Sequence, residues 1–285
     1  MIAHNPLTSK YFSINCKGKL LSLKTPVVMG ILNTTPDSFF DGGKYNSIDF
    51  ALKQTEKMLN EGASIIDIGG YSSRPGADNI EAQEELDRVI PLIEKINKTF
   101  KEVIISIDTF RAKVALEAVN AGASIVNDIS AGDDDPYMVA TVATLGVSYI
   151  AMHKQGNSKT MQLNPTYNGV TTDVLDYFIK KIQLLRQAGI KDVIIDPGFG
   201  FGKNRQHNYS LLKNLAAFKM LDCPILAGMS RKRMINEVLN ISSIDALNGT
   251  TVVNTIALLN GANILRVHDV KEAVEAVKIV MNVEL

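Results

Sequence analysis

Cysteine is scarce in this 285-residue chain: only Cys16 and Cys223 occur, far apart, and no C-x-x-C pair or zinc spacing is present. That excludes a disulfide framework and leaves each cysteine as a small buried apolar residue. An excess of one charge is also lacking, since 30 Lys plus Arg balance 30 Asp plus Glu. The balance argues against nucleic-acid binding by bulk charge, and no nucleic-acid partner is expected. No run approaches the roughly 18 apolar residues of a membrane span. The first ten residues, MIAHNPLTSK, lack the charged start and apolar run of a signal peptide. No membrane partner is therefore expected, and a cytoplasmic location is the default. The 20 Gly and 9 Pro exclude collagen-like or low-complexity sequence, and 46% hydrophobic with 21% charged residues excludes a disordered chain.

What is present is a weak internal repeat. EGASIIDIGG from Glu61, NAGASIVNDIS from Asn120, QAGIKDVIIDPG from Gln187 and NGANILRVHD from Asn260 read alike. In each, a Gly suited to a left-handed helix cap precedes a short β-branched run and then a polar residue. The runs are apolar on both faces, as strands covered on both sides must be. Eight such strands are expected, at 27–32, 65–68, 103–108, 125–128, 148–153, 193–196, 224–227 and 264–267. Helical patterns follow at 49–60, 81–99, 111–121, 136–145, 172–188, 209–220, 244–260 and 270–282, with a short extra one at 231–239. Strict alternation predicts a parallel sheet, and eight units in about 250 residues predict an α/β fold, a single (β/α)8 TIM barrel. An open doubly wound sheet is the competing architecture. Residues 11–23, with a Lys17-Gly18 turn, predict a β-hairpin leader over the barrel floor. The division is a leader at 1–26 and one barrel domain at 27–285, with long strand-to-helix loops at 34–47, 69–79 and 155–169 marking the working end.

The strand exits carry Asn33, Asp67, Asp108, Asn127, His153, Asp196, Arg266 and His268. Any one could cap a helix or set a turn. A whole set on one rim points to a site. Asp108, Asn127 and Asp196 supply acceptors and an amide that suit the N–H edge of a heterocycle, with metal chelation by the same carboxylates as the rival. Arg74, Lys232, Arg233, Arg266 and His268 gather cations at the same rim, which suggests an anionic substrate. Ser230 stands where a short helix should begin, a place that suits a plain cap and an anion equally. His4 and His207 are expected to be ordinary surface residues. DPGFGFGK at 196–203 is not a Walker loop, because Pro197 and Asn204 break the pattern, and no G-x-S-x-G or H-E-x-x-H occurs. Covalent catalysis is therefore not expected.

GILNTTPDSFFDGG (30–43), DIGGYSSRPGA (67–77), SIDTF (106–110), NDIS (127–130), DPGFGFGK (196–203), MSRKR (229–233) and RVHDV (266–270) together resemble the dihydropteroate synthase family. The resemblance implies a TIM barrel, often a homodimer and a sulfonamide target, in folate biosynthesis. The implied reaction condenses 6-hydroxymethyl-7,8-dihydropterin diphosphate with 4-aminobenzoate to 7,8-dihydropteroate and pyrophosphate, with Mg²⁺ and in an SN1-like manner. By position, it implies that Asp108, Asn127, Met152, Asp196, Lys232 and Arg266 hold the pterin, and that Asn33, Arg266 and His268 hold the diphosphate, with Asn33 also on the metal. It implies that Phe39, Ser73, Arg74, Pro75, Phe201, Ser230 and Arg233 form the aminobenzoate pocket and its loops. Asp108, Lys232, Arg266 and His268 are the implied catalytic set. Three positions depart from the family's usual pattern: Tyr71 for Glu, Lys154 after the fifth strand (expected to be solvated), and Arg233 where some members have Ser. A pterin-binding methyltransferase would share the ring-binding residues but has no need of a diphosphate site, and a pterin binder without turnover should have lost the cations.

Overall fold

The structure, a computed structural model, describes residues 11–34, 44–71, 80–156 and 164–283. Strands β1 (Ser13–Cys16) and β2 (Lys19–Ser22) pair antiparallel across a turn in which Lys17 and Gly18 both have positive φ, 55° and 90°. That is the two-residue turn whose twist matches a hairpin. Eight parallel strands follow: β3 (Val27–Asn33), β4 (Ile65–Gly69), β5 (Ile104–Asp108), β6 (Ile125–Asp128), β7 (Ser148–Met152), β8 (Val193–Asp196), β9 (Leu226–Ala227) and β10 (Ile264–Val267). The order β8-β7-β6-β5-β4-β3-β10-β9 would be an open sheet but for a bridge between Ile195 and Ile225 that joins its two ends. The barrel is thus nearly closed and the doubly wound alternative falls. β9 is the weak stave. Pro224 has no N–H to give, although its carbonyl still accepts from Ile195 at 2.9 Å.

Helices alternate with the strands: α1 (Lys44–Asn60), α2 (Ala82–Thr99), α3 (Ala112–Ala121), α4 (Met138–Leu145), α5 (Val170–Gln187), α6 (Arg205–Lys213), α7 (Arg233–Leu239), α8 (Leu247–Leu259) and α9 (Val270–Val283). The repeat glycines Gly62, Gly122, Gly189 and Gly261 all sit at positive φ and end helices as expected. The pattern expected at 209–220 divides into α6 and a 3₁₀ turn at Leu215–Leu221. It starts earlier because Asn204 and His207 form a capping box, so His207 is more than a plain surface residue.

Period two along the strands sorts two cores. Val28, Ile66, Ile68, Ile105, Ile107, Val126 and Leu265 lie in the cluster beneath the helices. Met29, Ile65, Ile104, Ile125, Ile150, Ile194, Leu226 and Ile264 fill the lower barrel together with Ile14, Cys16 and Leu23 of the leader. The hairpin is pinned there by Ser148 Oγ on the Asn15 carbonyl (2.9 Å) and by Lys17 Nζ on that of Val119 (2.7 Å). Burial, with Asp192 nearby, pushes the Cys16 thiol up to about 12, which leaves it inert. Among the described residues no helix is long and apolar enough to cross a membrane.

Candidate active site

The inward positions above the apolar floor are polar. Parallel register sets Asp67 beside Ser106, Asp108 beside Asn127, Met152 beside Asp196, and Gly69 between Asn33 and Asp108. Residues far apart in sequence therefore share one layer because each occupies the same parity near the exit of its strand.

Arg266, from β10, organises this layer. Its Nε donates to Asp67 Oδ2 and its Nη2 to Asp108 Oδ2, both at 2.6 Å. Asn127 Nδ2 donates to the same Asp67 oxygen at 3.1 Å. Burial works against the Arg266 charge, and the carboxylates of Asp67 and Asp108 more than offset it and raise its pKa. Burial likewise pushes Asp108 up to about 7, with Arg266 pulling it down and Asp67 pushing it further up. Asp67 belongs to the rim set but has no role assigned from sequence; here it is fully buried and is an anchor of Arg266. The signal was present, a charged residue at an inward position of an otherwise apolar strand, but its partner depends on barrel closure.

Asp196 accepts from Gly198 N at 2.7 Å, and burial raises its pKa while Lys232 opposes the rise. Lys232 donates to the Phe199 carbonyl at 2.5 Å and lies 4.7 Å above the Phe201 ring. Burial lowers its pKa to about 8. Gly228 leaves a slot between these groups: a β-carbon there would meet Arg266 at 3.8 Å and Asp196 at 3.9 Å. Met152 is buried beside Asp196. At the rim, Ser230 Oγ lies 3.0 Å from His268 Nδ1 and accepts from the His268 N–H at 3.2 Å. Arg231 adds a second lock between these two loops, a forked pair with Asp269 at 2.7 and 2.9 Å.

The DPGFGFGK segment folds around its own lysine. Lys203 Nζ is 2.9 Å from His153 Nδ1 and donates to the carbonyls of Gly198, Phe201 and His153 at 3.0, 3.1 and 3.3 Å. Burial lowers Lys203 to about 7, and burial together with Lys203 lowers His153 to about 3, so the imidazole is neutral. Gly198 has φ +72°, and a β-carbon there would lie 1.9 Å from the His153 carbonyl oxygen, so only glycine fits.

Not every expected residue joins the cluster. Arg233 is 80% exposed and pairs with Glu237 one turn along α7 at 2.6 Å, away from the buried groups. Lys154 is not solvated: its side chain is 10% exposed and pairs with Asp134. Tyr71, the departure from Glu, donates to Asp108 Oδ1 at 3.3 Å and packs edge-on against Phe110 at 5.3 Å. Phe39, Ser73, Arg74 and Pro75 lie outside the described residues.

The sequence and the fold both have relatives. Residues 29–268 match the family described as "Pterin binding enzyme". The dihydropteroate synthase of Escherichia coli (strain K12) is 49% identical over 266 residues, 93% of this chain and 94% of that protein. The crystal structure of Yersinia pestis dihydropteroate synthase in a sulfonamide drug complex is 44% identical and superposes with a TM-score of 0.90, covering 96% of this chain and 99% of that one. The Xanthomonas albilineans enzyme in complex with 7,8-dihydropteroate is 36% identical with a TM-score of 0.86, over 96% and 99%. Likeness along nearly the whole length, joined to the inward layer of carboxylates, amide and guanidinium, establishes that the chain belongs to the dihydropteroate synthases, the pterin-binding transferases that make dihydropteroate in folate biosynthesis.

Proposed function

We propose that this site joins 4-aminobenzoate to 6-hydroxymethyl-7,8-dihydropterin diphosphate and releases pyrophosphate. The observation that carries the reading is the convergence of Asp108, Asn127 and Asp196 on one inward layer, with Arg266 bonded to Asp108 and Lys232 close enough to Asp196 to oppose the rise of its pKa. Buried carboxylates need N–H donors, and the pterin edge brings several. Asp196 and Asn127 take the amino and ring N–H groups, Lys232 takes the ring carbonyl, and Met152 packs on the ring. Arg266 leaves its carboxylate partners to lie over the pterin and meet the diphosphate, with Asn33 and His268 beside it.

The carbon–oxygen bond to the diphosphate breaks first, and its electron pair leaves with the pyrophosphate. The pterin ring shares the positive charge left on its methylene carbon, and Asp108 in its carboxylate form stabilises that charge. The nitrogen of the aromatic amine then attacks that carbon to form the new C–N bond and loses one proton to the released pyrophosphate or to water. A weakly basic amine needs no strong general base, which accounts for the lack of a nucleophile–base pair. Phe201 and Ser230 wall the aminobenzoate pocket, Arg233 stands at its rim for the carboxylate, and the resemblance assigns Phe39, Ser73, Arg74 and Pro75 to the binding of the same substrate.

Mg²⁺ fits the donor set. Among the described residues there is no group of three or more His, Cys, Asp or Glu able to cage a metal, whereas the Asn33 amide oxygen stands by Gly69 near Asp108. An oxygen ligand of this kind suits a hard ion held mainly by substrate phosphates. When bound, the ion neutralises charge growing on the leaving pyrophosphate. The chain is proposed to work in the cytoplasm as one barrel unit, 27–285, with its 1–26 leader, and as a homodimer through α8. On that helix Val252, Ile256 and Leu259 form an exposed apolar stripe. Pyrophosphate release requiring both substrates tests the activity; methyl transfer from methyltetrahydrofolate in its place would sink it.

A further inference from the structure

One buried pair of chemically capable groups is left unused by that mechanism. Lys203 and His153 come from motifs at two different strand exits, DPGFGFGK and MHKQG, and the mechanism above gives neither a contact with substrate, although the Lys203 charge is felt by Asp196. Lys203 is 2% exposed, yet its Nζ has four polar atoms within hydrogen-bond distance to share among its N–H groups: His153 Nδ1, and the carbonyls of Gly198, Phe201 and His153. With Lys203 as the donor to Nδ1, the imidazole carries its proton on Nε2. The ring is seated edge-on against Tyr177 at 4.9 Å. The loop is tied further by Tyr167 Oη on the Gly202 carbonyl (2.8 Å) and by Gly200 N on Asn208 Oδ1 (2.7 Å).

The segment so held carries three working parts. Its first residue is Asp196, its Phe199 carbonyl receives Lys232, and its Phe201 ring lies under the same ammonium. A loop of alternating glycines, Gly198, Gly200 and Gly202, all at positive φ, has little stiffness of its own. Its shape must come from what it wraps.

We infer that Lys203, bonded to His153, is a positioning residue that sets the height of the Phe201 wall and so fixes the affinity for the aromatic amine rather than the rate of bond breaking. Asp196 is less exposed to loss of the strut, since it sits in β8 itself and holds Gly198 N directly. The inference rests on the assignment of Phe201 to the aminobenzoate pocket.

The test is steady-state kinetics of pyrophosphate release for Lys203→Met, His153→Leu, His153→Gln and Phe201→Ala, with circular dichroism for folding. Gln presents an oxygen that can accept from Lys203; Leu presents nothing. The expected result is a rise of about tenfold or more in KM for 4-aminobenzoate for Lys203→Met and His153→Leu, kcat within about threefold of the parent, and near-parental values for His153→Gln. Folded Lys203→Met and His153→Leu proteins with parental KM would overturn the inference, as would a fall in kcat at unchanged KM, or equal damage from Leu and Gln at position 153. If Lys203→Met does not fold, the His153 pair decides. If none of the three folds, the pair is scaffold and the inference fails. Phe201→Ala separates the two levels: unchanged KM there removes the pocket assignment itself, whereas a raised KM there with a parental Lys203→Met removes only the strut.

Discussion

Arg266 and Asp108, 158 positions apart in the chain, meet at the barrel mouth through a 2.6 Å hydrogen bond from Nη2 to Oδ2. Asp67 receives the other edge of the guanidinium, so one cation holds two buried carboxylates before substrate arrives. Arg266→Ala leaves both without it. Turnover should fall by a factor on the order of 10²–10³, the scale of losing one preorganised charge at a reacting centre. Stability should also drop, by about 3–5 kcal/mol at neutral pH, because uncompensated buried charge is costly. Pyrophosphate release and urea unfolding read the two effects. Near-normal kinetics would refute the role given to Arg266.

Asp108 should leave a mark on the pH dependence of folding. Its carboxyl is raised from 3.8 to about 7 when folded, so between those values the native state keeps a proton that the unfolded chain has released. Stability from this group is therefore greatest below pH 4 and falls as pH climbs towards 7. Asp108→Asn should remove that slope, by as much as about 4 kcal/mol across the window. Glu85, Asp128 and Asp196 are raised as well but are common to both proteins and cancel in the difference. Denaturant titrations at several pH values would show it, and parallel curves for parent and variant would contradict the shift. Calorimetry on Asp108→Ala should in addition show strongly weakened pterin binding.

Most of the fold could be read from the residues because period, glycine caps and strand length are local properties. The eight runs and their helices fall within a few residues of expectation, and α1 begins five residues early, at Lys44 against Asp49. What could not be read is what depends on register. Asp67 and Asp128 look alike in sequence, each a carboxylate near a strand exit. Parity sends Asp67 inward to Arg266, while Asp128 is fully bonded to Tyr149, Ser130 and Gly132. Lys154 was hidden for the same reason, since its partner Asp134 belongs to the previous loop.

Gly198 and Gly146 make a matched pair for testing the wrapped loop. Both have positive φ, +72° and +64°, but a β-carbon would strike the His153 carbonyl at Gly198 and meets nothing within 4 Å at Gly146. Gly146→Ala should cost about 1 kcal/mol for backbone strain alone. Gly198→Ala adds an overpacking term of about 1–3 kcal/mol or more and should raise substrate KM as well. Equal unfolding midpoints for the two variants would mean that the loop yields without cost.

The leader hairpin should matter for stability and leave chemistry alone. Ile14 is 1% exposed and closes the lower end of the barrel, on the face opposite Arg266. Ile14→Ala should cost about 2–4 kcal/mol as a core truncation, with kcat and KM unchanged while the protein stays folded. A large kinetic effect would show that the floor communicates with the mouth.

Ile256 offers the test of assembly. On α8 the buried face is carried by Thr250, Val253, Asn254, Ala257 and Leu258, and the outer face shows Val252, Ile256 and Leu259, with exposures of 51%, 37% and 51%. Apolar residues three and four apart on the solvent side of a helix form a continuous stripe, which a two-fold partner could cover with its own copy. A charge in the middle of such a stripe would be brought close to its symmetry mate and stripped of water at the same time. Ile256→Glu should therefore convert a dimer into a monomer in sedimentation velocity at micromolar concentration. Its effect on the unfolding of the isolated subunit should be small, because the side chain faces outward. A parent chain that sediments as a monomer, or a variant that remains a dimer, would remove α8 as the interface.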